Sequence, residues 1–204
     1  MKYLMGYPDS LKTQVQQLLT QGRLGETLLA KYSHAHGVRT DKALYDYVMT
    51  LKNDFLRNSE PLNKVMFDSK LQIITHALGT HTTISRVQGN KLKSKREIRV
   101  ASLFKEVPEE FLRMIAVHEL AHIKDYQSRS IFGVMDRGID YLHGRSKAKF
   151  ERAIDTMTIQ AGMGEYLHRW AHYAIYESNA SEKYKRFKRK IYLAPEEIIG
   201  LVPE

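Results

Sequence analysis

Cysteine is absent from the 204 residues. That excludes disulfide frameworks, thiolate zinc sites, cysteine nucleophiles and iron–sulfur ligation, so any metal site must be built from His, Asp or Glu. Long apolar runs are missing too. No stretch reaches membrane-spanning length, and the apolar stretch near the start, Tyr3 to Met5, stops at Gly6, far short of a signal-peptide core. The expectation is a cytoplasmic protein with no membrane partner. Polar low-complexity tracts are also lacking, and with 43% apolar and 27% charged residues the chain has the composition of a folded domain with a real core.

Acid is scarce relative to base. Lys and Arg number 32 against 23 Asp and Glu, a formal net charge of +9 that favours acidic surfaces and nucleic acid as partners. The excess sits in two stretches. In the first, Lys91, Lys93, Lys95 and Arg96 lie between Arg86 and Arg99 with Glu97 as the single acid; in the second, residues 183–190 read KYKRFKRK. Lys185, Arg186, Lys188 and Arg189 of that run could track phosphates, with Tyr184, Phe187 and Tyr192 available to stack on bases. Solvated faces of a helix and a hairpin are the plainer reading.

The N-terminal third reads as helical. Asp9 or Ser10 can cap a helix over 11–21 that ends at Gly22, and a short helix over 24–32 follows. Thr40 or Asp41 caps a third, whose Leu44, Tyr47, Val48, Leu51 and Phe55 recur at helical spacing until Asn58 to Pro61 stops it. From Val65 to Phe104 the pattern turns to β-branched segments, with HTTISRV and EIRVASLF as strands joined by the basic connection QGNKLKSKR. Pro108 then suits a first helical position, and Glu109 and Glu110 sit where the helix dipole favours anions. A charged helix resumes near Lys147 and breaks at Gly162 and Gly164, and helical segments complete the chain.

The helix after Pro108 carries His118-Glu119-Leu120-Ala121-His122, an HExxH arrangement. That spacing is about one helical turn, so both imidazoles project from one face and can grip one ion. Zinc needs a third protein ligand and an open fourth position for water. Glu119, beside the first ligand, is placed to take a proton from that water as it attacks a carbonyl. Manganese, cobalt or nickel accept similar ligands.

A second carboxylate pair lies downstream. In FERAIDTMTIQAG, Glu151 and Asp155 are again a turn apart, so Glu151 can complete the ligand set while Asp155 accepts a hydrogen bond from the far nitrogen of a ligating histidine. His143 is the alternative third ligand. His143, Tyr141 and Tyr126 are also candidate donors to a tetrahedral intermediate. His168 and His172 repeat the one-turn spacing, but no acid adjoins them and they sit among Trp170, Tyr173 and Tyr176, as on a packed aromatic face.

The segment LGTHTTISRVQGNKLKSKREIRVASLFKEVPEEFLRMIAVHELAHIK, with GYPDSL and VRTDKALYDYV before it, resembles the YgjP-like metallopeptidases, relatives of the SprT-like zincins. The likeness covers about the first 124 residues. It implies an α+β zincin-like domain with zinc on His118 and His122, Glu119 as base, and a peptide-binding edge strand beside the active-site helix. The position of that family's third histidine is Ser128 here, whereas FERAIDTMTIQAGMGEYL is similar to the glutamate-bearing helix of gluzincins.

The resulting expectation is an N-terminal helical region over 1–62 and a zincin-like domain over 63–204, with a small antiparallel sheet and a helical C-terminal region. The leading function is a zinc metallopeptidase whose polypeptide substrate adds to the edge strand near Ile98 to Leu103. The competing readings are a metal-dependent nucleotide pyrophosphatase, an activity the YgjP-like resemblance also suggests, and a nucleic-acid-binding module with a vestigial metal site.

Overall fold

The computed structural model describes residues 36–56, 62–71, 79–88, 91–127, 145–178 and 180–202. The helices expected over 11–21 and 24–32 lie outside them. Helix α1, Asp41–Phe55, begins where Thr40 Oγ accepts a hydrogen bond from the Ala43 N–H, and it buries Leu44, Val48 and Leu51 on one face. Its first turn is pinned to the sheet. Asp41 Oδ1 accepts from the Phe67 N–H at 2.9 Å, joining α1 to strand β1, Lys64–Asp68.

Strand β2, Gly79–Gln88, and strand β3, Lys91–Ala101, absorb most of the stretch expected to be a basic connection. The sheet order is β1-β3-β2. β2 runs antiparallel to β3, as a short hairpin connection requires, but β1 flanks β3 on the other side and runs parallel to it, with Val65 opposite Ile98. The sheet is therefore mixed, not the wholly antiparallel one expected from the sequence. A second correction follows. Ile98 to Val100 are paired on both sides, and Ser102–Lys105 turns into a 3-10 helix, so this segment presents no open edge to an extended peptide.

Helix α2, Glu109–Gln127, opens with Glu109 and Glu110 in its first turn. Pro108 precedes it and accepts from the Phe111 N–H. Phe111, Leu112, Met114, Leu120 and Ile123 of α2 are fully buried, together with Ile98 and Val100 of β3. Helix α3, Arg145–Thr158, passes through a π-helical turn, Ile159–Met163, into α4, Gly164–His172. A further π-helical turn, Tyr173–Glu177, leads to α5, Glu182–Ile191, and α6, Pro195–Ile199. Trp170 of α4 reaches the same core: its ring lies 5.2 Å from Phe104 and 6.2 Å from Phe111. No described helix is long and apolar enough to cross a membrane.

The bend between α3 and α4 depends on Gly162, whose φ is +83°. A Cβ there would meet nothing within 4 Å, so any cost of substitution is conformational and not steric crowding by neighbours. Gly162→Ala should lower the unfolding free energy by about 1–2 kcal/mol, and Gly162→Asn by less because asparagine tolerates the left-handed region. Urea unfolding measures both. Equal stability of the three proteins would contradict the left-handed kink.

Candidate metal centre

His118 and His122 emerge one turn apart on α2, and their rings meet edge to face at 5.1 Å between centroids. Glu151 comes from α3, which packs against α2. Glu151 Oε2 lies 3.7 Å from His118 Nε2 and 3.5 Å from His122 Nε2. These are the separations of atoms that share an ion. A tetrahedral centre with ligands at about 2.0–2.1 Å sets its donor atoms about 3.3 Å apart. His118, His122 and Glu151 are a group that could hold a metal, each offering a donor atom within 4.8 Å of the others.

Asp155 lies one turn beyond Glu151 and is buried. Its Oδ1 stands 3.4 Å from His118 Nδ1, the nitrogen turned away from the donor group, while its Oδ2 accepts from the Leu193 N–H at 2.9 Å. One carboxylate thus faces a candidate donor imidazole with one oxygen and ties down the turn between α5 and α6 with the other. Arg152, three residues before Asp155 on α3, donates to the Tyr192 carbonyl at 3.0 Å and pairs with Glu197. Both residues tie the C-terminal segment to α3.

The electrostatics fit a cation. Burial works against a charged His118, yet the Asp155 and Glu151 carboxylates push it up to about 10. Burial would likewise raise Glu151, but the two imidazoles hold its carboxyl well below the usual range. A site this receptive to positive charge offers one ion a carboxylate that remains ionised and two nitrogens facing it. Glu119 differs. Removal from water raises it, and its Oε2 has no hydrogen-bond partner among the described residues, as expected of a carboxylate free to receive a proton.

A cavity opens beside these groups. His118, Glu119, Asp155 and Lys188 line its polar end, and Trp170 and Ile198 are among the residues of its apolar wall. The sequence places Lys188 in a basic run that reads as an outward, phosphate-tracking face. Instead it reaches into this cavity, its Nζ 4.0 Å from the centroid of the Tyr192 ring, and burial pulls it down to about 8 against the upward pull of Asp155, Glu151 and Glu119. The signal was present in the chain: Tyr184, Lys188 and Tyr192 recur one turn apart, marking the face of α5 turned inward.

The remaining candidates fall elsewhere. Arg96, on β3, is buried and cannot serve as a surface phosphate contact. Lys185 pairs with Glu182 at 3.3 Å, Arg186 Nε donates to the Glu182 carbonyl, and Arg189 stacks over Tyr176. Lys91, Lys93 and Lys95 lie on β3. Tyr126 lies in the last turn of α2, and Tyr141 and His143 are outside the described residues. His172 Nδ1 is 2.9 Å from Glu177 Oε1, with Arg169 on the same carboxylate, so His172 belongs to an ion-pair cluster, and the His168 ring lies 6.2 Å from its own.

An α+β chain with a buried histidine, histidine and carboxylate group able to hold a metal is the class that this geometry defines. The chain is 54% identical over 130 residues to the UTP pyrophosphatase of Escherichia coli (strain K12), a span of 64% of this chain and 78% of that protein. It belongs to the family of that enzyme. No protein-family model matches the chain, and no solved structure matches it. The relationship overturns the metallopeptidase reading and, with it, the polypeptide substrate: the kinship is to an enzyme named for a nucleotide. The HExxH spacing misled because two imidazoles and an adjacent glutamate describe how a water is activated, not which electrophile it attacks.

Metal content after exhaustive dialysis tests the donor set. His122→Ala and Glu151→Ala should abolish stoichiometric uptake of a divalent ion, while Asp155→Asn should weaken it about 10–100-fold through loss of the imidazole's orienting partner. Full uptake by Glu151→Ala would contradict the assignment.

Proposed function

We propose that this chain is a metal-dependent nucleotide pyrophosphatase that hydrolyses UTP or a close relative to the nucleoside monophosphate and pyrophosphate. The observation that carries the reading is the 54% identity to a UTP pyrophosphatase, joined to a buried three-donor group in this chain. The likeness of residues 78–124 to the YgjP-like group supports the same reading, since nucleotide pyrophosphatase activity is among its implications. We read the HExxH helix and its sheet as a zincin-like scaffold put to work on a phosphoanhydride.

His118, His122 and Glu151 would hold the ion, and two imidazoles with one carboxylate suit zinc best. When bound, the ion supplies a Lewis acid that polarises a phosphoryl oxygen and offsets charge in the transition state. Glu119 takes the proton of the attacking water, for which its burial and unpaired oxygen suit it. The water oxygen bonds to the α-phosphorus, the bond from that phosphorus to the bridging oxygen breaks, and pyrophosphate departs with the bridging oxygen. Asp155 holds the His118 ring in place throughout, at 3.4 Å.

The test is release of pyrophosphate from UTP by the metal-loaded protein. Chelation should abolish it, and Glu119→Gln should keep the metal while lowering kcat about 10²–10⁴-fold. Turnover that survives both treatments would contradict the assignment, as would a loaded wild-type protein with no action on any nucleoside triphosphate.

A further inference from the structure

The polar end of the cavity is crowded with negative charge. Glu119 and Asp155 line it, Glu151 is buried beside His118, and a nucleoside triphosphate would bring about four further charges close to them at neutral pH. One divalent ion cannot offset both sets. Lys188 is the cation that lines this cavity alongside His118, Glu119 and Asp155. Its ammonium makes no hydrogen bond and no ion pair within 4.0 Å among the described residues. Aromatic faces hold it instead, with its Nζ 4.0 Å from the Tyr192 centroid and 5.8 Å from that of Tyr184.

That mode of support is informative. An aromatic face attracts an ammonium without accepting its N–H groups as a carboxylate oxygen does, so the three donors remain available to another acceptor. The Tyr192 ring also stands 6.4 Å from the His118 ring, so the aromatic support of Lys188 adjoins the donor group. The backbone beneath is anchored as well, through Leu193 N–H to Asp155 and the Tyr192 carbonyl to Arg152.

We propose that Lys188 is a substrate-binding residue whose ammonium grips the phosphate oxygens of the nucleotide and steadies the departing pyrophosphate. The inference rests on the nucleotide pyrophosphatase reading and extends it to a residue on α5. It also gives one lysine of the KYKRFKRK run a role distinct from that of its exposed neighbours.

Two neutral replacements, Lys188→Met and Lys188→Gln, test it beside Lys188→Arg, with metal content and melting temperature recorded for each. The neutral variants should lose about 10²-fold in kcat/KM for UTP and bind inorganic pyrophosphate at least tenfold more weakly by calorimetry, while keeping their metal; Lys188→Arg should restore most of both. A merely structural lysine would move melting temperature and metal content and leave pyrophosphate affinity alone. If the wild-type protein turns over UTP and the folded neutral variants stay within about twofold of it in both readouts, Lys188 has no such role. If the loaded wild-type protein releases no pyrophosphate at all, the parent reading fails and this one falls with it.

Discussion

Glu151 is the constraint around which the rest of the molecule is arranged. A buried carboxylate costs several kcal/mol unless positive charge or hydrogen-bond donors answer it, and here two imidazoles from a different helix do so at 3.7 and 3.5 Å. That requires α2 and α3 to lie against each other at one register. A rotation of either helix by one residue, about 100°, would carry its donors off the shared face. The apolar faces of the two helices fix that register, with Leu120 and Ile123 on α2 and Ile154 on α3 all buried.

The C-terminal elements are built onto the same constraint. Asp155 faces His118 with one oxygen and the Leu193 N–H with the other, so the turn after α5 is positioned by a group that also adjoins the donor set. Lys188 and Tyr192 therefore arrive at the cavity as a consequence of α3, though they are distant from it in sequence. Trp170, which also lines the cavity, packs against Phe104 and Phe111, and α4 is thereby keyed to the strand end and to α2. The two ends of the cavity are set by different forces, charge at one and aromatic packing at the other.

Much of this was legible from spacing alone. The pairs His118 and His122, and Glu151 and Asp155, are each one helical turn apart, and a helix converts that interval directly into a shared face. The Thr40 cap and the break at Gly162 were readable for similarly local reasons, a side-chain oxygen before an apolar-periodic run and a residue without a Cβ. What was not legible depends on long-range choices. Nothing in KVMFD states which side of β3 it will join or in which direction, and its parallel pairing is what closed the expected peptide-binding edge. Lys188 was hidden by composition, because a run of cations reads as solvated until the tyrosines a turn to either side are noticed. The choice between a peptide and a nucleotide was hidden more deeply, since an amide carbonyl and a phosphoanhydride ask the same of two histidines and a glutamate.

The convergence of α2 and α3 on a single cation is tested most directly by anomalous diffraction at the zinc edge from crystals of the zinc-loaded protein. One strong peak should lie about 2.0–2.2 Å from His118 Nε2, His122 Nε2 and a Glu151 carboxylate oxygen together. A map with no peak among those atoms, or with a peak at the histidines and Glu151 beyond coordinating distance, would contradict it.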